Sequence, residues 1–374
     1  MAKELLLANR KLVNGNHIMA LPFLNGQSKK RDQVIAIDLG GRSTKAVCMQ
    51  RKGSGYTLLR YSITDAPIYE KAMSAELLAE HLKTVCEGLD VKTKLVSLAI
   101  GTTDSILRHA EMPQMPVDDM RQILKNNTKS YLQQDLPNHV FDCHVLPPRA
   151  GATAAETGKT GGVQKMRVLV GGAKKQLMDE IQAAVKGANM VADQILPGLV
   201  GPVNAFELAL PEVFNRDAVA LVDIGFKNTT ICLLNQGELI VSRVVAIGGD
   251  RLTQGLAESM GISYAEAEGI KVGMPAEVQS NLEQLLTPLG RELRASLDFF
   301  EHQQDKTVTQ IYISGGSARS EFIVKSLETE LMAPCKAWNP TAALDLALPP
   351  SQISEIEHLA PQLAVAVGTA AATF

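Results

Sequence analysis

The sequence predicts an α/β protein with two related lobes facing each other across a cleft. Three observations carry that expectation. A unit of apolar strand, Asp, turn glycine, hydroxyl residues and second strand occurs twice, at Val34-Ile35-Ala36-Ile37-Asp38-Leu39-Gly40 and at Ala220-Leu221-Val222-Asp223-Ile224-Gly225. A third apolar strand, Ile311-Tyr312-Ile313-Ser314, runs into Gly315-Gly316. The 374 residues are 45% apolar, which suits about two domains with their own cores at ~100–200 residues each.

The elements follow in order. Residues 1–33 lack periodicity, end in the basic stretch Ser28–Asp32, and read as a loosely ordered lead-in. Val34–Leu39 is a strand broken by glycines, followed by strand-like runs at Lys45–Gln50 and Tyr56–Thr64. Met73–Glu87 carries Leu77, Leu78, Leu82 and Val85 on one helical face. Leu95–Ile100 and Asp104–Glu111 read as strands. Val117–Lys129 reads as a helix with Asp118 and Asp119 well placed in its first turn. Val140–Val145 and Arg167–Val170 are strand-like around a Gly/Ala/Thr/Pro-rich loop at 147–164. A helix at Lys174–Lys186 and a strand at Met190–Leu196 complete the first half. The second half opens with Ala218–Ile224. Thr229–Leu234 and Glu238–Ala246 follow as a hairpin turning at Asn235-Gln236-Gly237. Helices are expected near 250–260, 264–272 and 277–303, then a strand at Val308–Ser314 and a Gly/Ala-rich closing helix near Pro361–Ala372.

Composition narrows the function classes. A formal net charge of −3 is not the basic footprint of a nucleic-acid binder. Aromatics at 4% argue against base-stacking platforms. The five scattered cysteines include no CxxC pair and suit a reducing compartment. No apolar run approaches the ~18–20 residues that span a bilayer, and the start at Lys3 with a short Leu5–Ala8 run does not read as a signal peptide.

The chemistry sits at the repeated turns. A strand ending in Asp-x-Gly presents one carboxylate at a sheet end, and the glycine lets backbone N–H groups approach phosphate oxygens. In the first unit the donors are Gly40, Gly41, Arg42, Ser43 and Thr44, with Lys45 as a cation; in the second they are Gly225, Asn228, Thr229 and Thr230. Asp38 and Asp223 would hold Mg²⁺ mostly through its waters. A lone Asp-x-Gly is an ordinary strand-ending turn; two in matched settings point to phosphate. A base or ribose could lie on Gly315, Gly316 and Ser317.

These three elements, in this order, resemble the phosphate-1, phosphate-2 and adenosine motifs of the actin-like ATPase superfamily. Within it the chain is most similar to the PilM family of type IV pilus assembly, with FtsA and the cytoplasmic part of the type II secretion L protein as relatives. Arg108–Pro113, Val117–Lys129 and Tyr131–Pro137 are similar to the family's early insertion. Gly248-Gly249-Asp250-Arg251-Leu252-Thr253, Ala265–Lys271, Asn339-Pro340 and Leu363–Gly368 are similar to its second half. The resemblance implies a ribonuclease H-like duplicated, actin-like fold with a small subdomain inserted in the first lobe. The implied division is first lobe 34–112 and 173–210, insert 113–172, second lobe 211–345, and a closing segment 346–374 returning to the first lobe. It implies ATP and Mg²⁺ as ligands, Gly248 and Gly249 beside the nucleotide, Glu268 and Lys271 toward the adenosine, and close packing of Ala364 and Gly368 at the hinge. The implied partner is the N-terminal cytoplasmic tail of a single-span inner-membrane, PilN-like protein, held in a groove around 104–171. Self-association is left open. The implied location is cytoplasmic, at the inner membrane through partners.

Arg42, Phe226 and Lys227 are bulkier than the family's pattern. Leu196–Pro202 offers no carboxylate or amide to orient water, so ATP binding is expected with at most slow turnover. Two alternatives stay open: a small-molecule kinase of the same superfamily, and an FtsA-like division protein. The latter would be expected to carry an amphipathic targeting helix at a C-terminus that here reads Ala370-Ala371-Ala372-Thr373-Phe374. Thr157-Gly158-Lys159-Thr160 lacks the earlier glycine of a P-loop, since Thr153 stands there.

Overall fold

The computed structural model describes Met19, Leu21 and residues 32–67, 74–147 and 165–374. The strands β1 (Gln33–Asp38), β2 (Ser43–Lys52) and β3 (Gly55–Asp65) form an antiparallel meander. Helix α1 (Ala75–Glu87), capped by the Ser74 hydroxyl accepting from Leu77 N, crosses to β4 (Leu95–Ile100), which runs parallel to β1. The chain then leaves for a small antiparallel sheet of β5 (Ser105–Pro113), β6 (His139–Val145) and β7 (Lys165–Lys174), in the order β5-β7-β6. Among the described residues two helices, α2 (Val117–Asn126) and α3 (Thr128–Leu132), pack against this sheet. Helix α4 (Lys175–Gly187) and β8 (Val191–Pro197) return to the first sheet.

Helices α5 (Gly201–Ala209) and α6 (Pro211–Arg216) lead to the second lobe. There β9 (Ala218–Ile224), β10 (Thr229–Asn235) and β11 (Glu238–Val245) repeat the meander. Helices α7 (Gly249–Met260), α8 (Tyr264–Gly273) and α9 (Gln279–Gln304) follow, then β12 (Gln310–Ser314) parallel to β9, α10 (Glu321–Leu331) and β13 (Cys335–Ala337). The short β14 (Asp345–Leu346) pairs back to β3, and α11 (Pro350–Leu359) and α12 (Ala364–Thr373) close the chain.

The duplication is literal in topology. The first sheet is ordered β14-β3-β2-β1-β4-β8, the second β11-β10-β9-β12-β13. Apart from β14, each reads third, second and first meander strand, then two parallel strands. Asp38 is the last residue of β1 and Asp223 the penultimate residue of the equivalent strand β9.

Where the chain crosses between lobes, α5 and α12 meet backbone to backbone. A Cβ on Gly368 would fall 1.8 Å from the Gly201 carbonyl oxygen, and one on Gly201 would fall 2.8 Å from Val365 Cα. The small residues of the last helix are therefore required by proximity.

Some boundaries differ from the sequence reading. β5, which that reading gives to the first lobe, pairs along its whole length with β7, so the inserted sheet begins at Ser105 instead of 113. The helix expected over Val117–Lys129 is two helices, because Asn127 leaves helical geometry (φ −146°). Within the stretch read as a lead-in, Met19 and Leu21 are buried; Met19 exchanges two hydrogen bonds with the Asn204 side chain (2.8 and 3.0 Å). The sequence at 157–160 lies outside the described residues, as does Met73 at the start of the first expected helix.

Candidate nucleotide site

A cleft of about 890 Å³ opens between the lobes at the C-terminal ends of β1 and β9. Of the residues the sequence assigns to nucleotide or metal, all but Thr229 and Gly248 line it. Thr229 is fully buried and its hydroxyl donates to the Ile247 carbonyl (2.6 Å), so it braces the hairpin from behind. Gly248 lies against the phosphate-2 turn: a Cβ there would sit 2.4 Å from the Phe226 carbonyl oxygen.

The two carboxylates occupy the floor. β2 folds back on β1 so that Lys45 lies opposite Asp38 in the register, and the Lys45 ammonium stands 3.7 Å from the Asp38 carboxylate. In the second lobe Thr230 takes the place of Lys45, while β12 sets Ser314 beside Asp223. The Ser314 hydroxyl donates to Asp223 (2.8 Å). Burial raises Asp38 above the usual carboxylate range, with Lys45 opposing. Burial pushes Asp223 up to about 6; the Ser314 hydrogen bond opposes this, the nearby Asp38 charge adds to it, and Lys45 opposes it. Two half-buried acids that feel each other, sharing one lysine, form a site short of positive charge. Their hard oxygens suit Mg²⁺, which characteristically takes one or two protein carboxylates and keeps most of its waters. Among the described residues no group of three His, Cys, Asp or Glu could enclose a metal.

The turns are held by their own backbone: the Gly40 N–H donates to the Asp38 carbonyl (3.0 Å). The Gly225 N–H donates to the Asn228 carbonyl (3.0 Å), closing the second phosphate turn, and Gly249 N–H donates back to the Gly225 carbonyl (2.9 Å). Gly315 adopts φ +90°, and its Cβ would lie 2.4 Å from the Ile224 carbonyl oxygen. Only glycine fits there, which keeps the third turn flush against the second.

Glu268 and Lys271 are not the solvent-exposed pair that spacing alone would permit. Lys271 is buried, and its ammonium donates to Glu268 (2.6 Å), the Thr253 hydroxyl (2.6 Å) and the Gly249 carbonyl (3.2 Å). All three donors are engaged, so Lys271 ties α8 to the start of α7. Burial opposes ionisation of Glu268, but the hydrogen bonds from Lys271 and Thr253 outweigh it and hold the carboxyl below its ordinary value. Glu268 also reaches across the cleft: Arg42 Nη1 lies 3.6 Å from Oε1. The Arg42 guanidinium stands 5.6 Å from the Phe226 ring centroid. The bulky residues that depart from the pattern thus meet one another across the gap.

Several cleft residues escaped the sequence reading. His81 on α1 is hydrogen-bonded to the Thr44 hydroxyl (2.7 Å), and burial lowers its pKa. Asp104 lines the cleft just after β4; burial raises its pKa and Lys174 opposes this. Gly198 contributes only backbone, yet Asp65 and Asp104 supply carboxylates elsewhere on the wall. Arg319 donates to His358 (2.9 Å) near Gly316. Ser314, buried behind Asp223, does not line the cleft and had a signal, being the last strand residue before Gly-Gly. The others come from distant segments and had none.

A family model described as type IV pilus assembly protein PilM matches residues 36–374. The chain belongs to the PilM family. A solved PilM–PilN type IV pilus biogenesis complex contains a chain similar to this PilM family member at 22% identity, with a TM-score of 0.76 over 91% of this chain and 98% of that one. The fold is the actin-like two-lobed α/β fold with an inserted subdomain. Cell division protein FtsA of Bacillus subtilis (strain 168) is 30% identical over 103 residues, 28% of this chain and 22% of its own length. FtsA of Streptococcus pneumoniae serotype 2 is 22% identical over 175 residues, 46% of this chain and 36% of its own length. The matches therefore span well under half of these division proteins. Among the described residues of this PilM-family chain, no helix is long and apolar enough to cross a membrane.

Proposed function

We propose that this chain is a Mg-ATP-binding scaffold of type IV pilus assembly, working in the cytoplasm against the inner membrane. It would dock the N-terminal cytoplasmic tail of a single-span, PilN-like protein. The observation that carries the nucleotide reading is the convergence of both Asp-x-Gly turns and the Gly315–Ser317 turn on one cleft. Asp38 and Asp223 would hold hydrated Mg²⁺, which neutralises phosphate charge when bound. Gly41, Arg42, Ser43, Asn228 and Thr230 would face the phosphates with backbone and side-chain donors, Gly40 and Gly225 would shape the two turns with their N–H groups already spent, and Gly249, Glu268 and Gly315–Ser317 would border the nucleoside. Lys271 and Thr229 would hold that border in place from behind.

The docking reading rests on family membership and on the solved PilM–PilN complex of a similar chain. The inserted sheet, with β5 and β6 as its edges, is the proposed receptor region. Turnover would be slow: the segment at 196–202 places no acid or amide beside the phosphates, though Asp104 keeps a carboxylate in the cleft. Calorimetry with Mg-AMPPNP tests the nucleotide half, which fails if no heat of binding appears. A tagged pull-down from solubilised membranes, with and without ATP, tests the scaffold half. Recovery of a one-span protein through its cytoplasmic tail supports it, and recovery of only a soluble metabolic enzyme overturns it.

A further inference from the structure

The inserted subdomain touches the second lobe as well as the first. Arg167, at the start of β7, forms a two-pronged ion pair with Glu238, the first residue of β11, with one contact at 3.1 Å. Both side chains are largely shielded, 25% and 14% exposed. His109 Nε2 on β5 donates to the Leu239 carbonyl (2.8 Å). Leu107, Leu146 and Leu169 of the insert share one buried apolar cluster with Leu239 and Leu234 of the hairpin.

The contacted hairpin tip is stiff. Gln236 (φ 48°) and Gly237 (φ 82°) form a two-residue turn with both centres left-handed, matching strand twist. Gly237 N–H donates to the Phe214 carbonyl (2.7 Å) and Gln236 N–H to the Asp217 carbonyl (3.2 Å). The opposite end of β10 is Thr229-Thr230, beside the phosphate-2 turn. One strand, about 20 Å long at ~3.3 Å per residue, therefore has the insert at one end and the cleft floor at the other.

We propose that the insert braces the second lobe, with Arg167 and Glu238 as the positioning residues that set the opening of the cleft. The lobes meet at the Gly201–Gly368 crossing and the apolar cluster around it; the brace is a further attachment, formed through the insert. A ligand on the insert would then be felt in the cleft, and by reciprocity a cleft ligand would be felt at the insert.

The test needs no nucleotide, so it stands or falls separately from the Mg-ATP reading. Nitroxides are placed through Glu76→Cys on α1 and Glu258→Cys on α7 in a Cys86→Ser background, the other four cysteines being buried. Pulsed EPR then reads the inter-lobe distance. The braced protein gives one narrow distribution. Glu238→Arg broadens it, the charge swap Arg167→Glu/Glu238→Arg narrows it again, and Glu238→Gln, which keeps shape but loses charge, broadens it less. An unchanged distribution in folded Glu238→Gln and Glu238→Arg overturns the brace. A swap that folds but stays broad overturns the ion pair's part in it.

Discussion

The two phosphate turns come from one pattern and occupy equivalent strand ends, yet they treat their carboxylates differently. In the first lobe the residue across the hairpin is Lys45, and the neighbour on β4 is Ala99. In the second the residue across the hairpin is Thr230, and the neighbour on β12 is Ser314. Asp38 thus faces a cation, whereas Asp223 has a hydroxyl hydrogen bond and rises to about 6. Duplicated geometry has been kept while the charge balance has diverged. The second lobe sets a hydroxyl beside its acid where the first lobe sets a cation.

The largest expected effect follows from that difference. Asp223→Ala should abolish Mg-dependent nucleotide binding in calorimetry, a loss of at least about a hundredfold, or ~2.7 kcal/mol. Unchanged affinity would show that the second turn is not the metal side. Asp38→Asn should weaken binding less, roughly tenfold, because Lys45 remains to meet phosphate. If Asp38→Asn costs more than Asp223→Asn, the asymmetry is inverted.

A pH experiment reads the same asymmetry without ligand. Asp223 has a folded pKa of about 6, above its ordinary 3.8. Between those values the folded protein keeps a proton that the unfolded chain has released, so stability falls as pH rises through the window. The full penalty at neutral pH is on the order of 3 kcal/mol. Asp223→Asn, which can still accept from Ser314, should raise the melting temperature of the metal-free protein near neutral pH, with the gain vanishing below about pH 4. A pH-independent gain would mean that the carboxylate is not strained by burial.

The smallest effect belongs to Arg42. Its contacts to Glu268 and Phe226 join the lobes, but the side chain is 48% exposed and the ion pair is long. Arg42→Ala should change nucleotide affinity by no more than about fivefold, from ~1 kcal/mol of exposed ion-pair and ring contact. A loss as large as that of Asp38→Asn would instead make Arg42 a phosphate ligand.

The Asp-x-Gly turns were legible in the chain because local rules write them: a strand needs an apolar run, and a tight turn needs glycine. The hairpin turn at 235–237 and the capped helices follow similar short-range rules, such as Ser263 and Glu266 closing a capping box on α8. The boundary of the insert was not legible, because β5 pairs with β7 past two intervening helices and β6, and no local rule chooses a strand's partner. His81 and Asp104 were equally silent, each an ordinary helix or loop residue until the fold turns it toward the cleft.

By itself the sequence determined the duplicated strand–turn–strand units, the glycines where backbone must come close, and through them the two-lobed class. Tertiary structure alone decided which acid is compensated, which donors of Lys271 are already taken, and that Arg167 meets Glu238 between subdomain and lobe. The physical reason is range. Turn geometry and amphipathic period act over a few residues, whereas burial and charge pairing depend on what distant segments bring within a few ångströms.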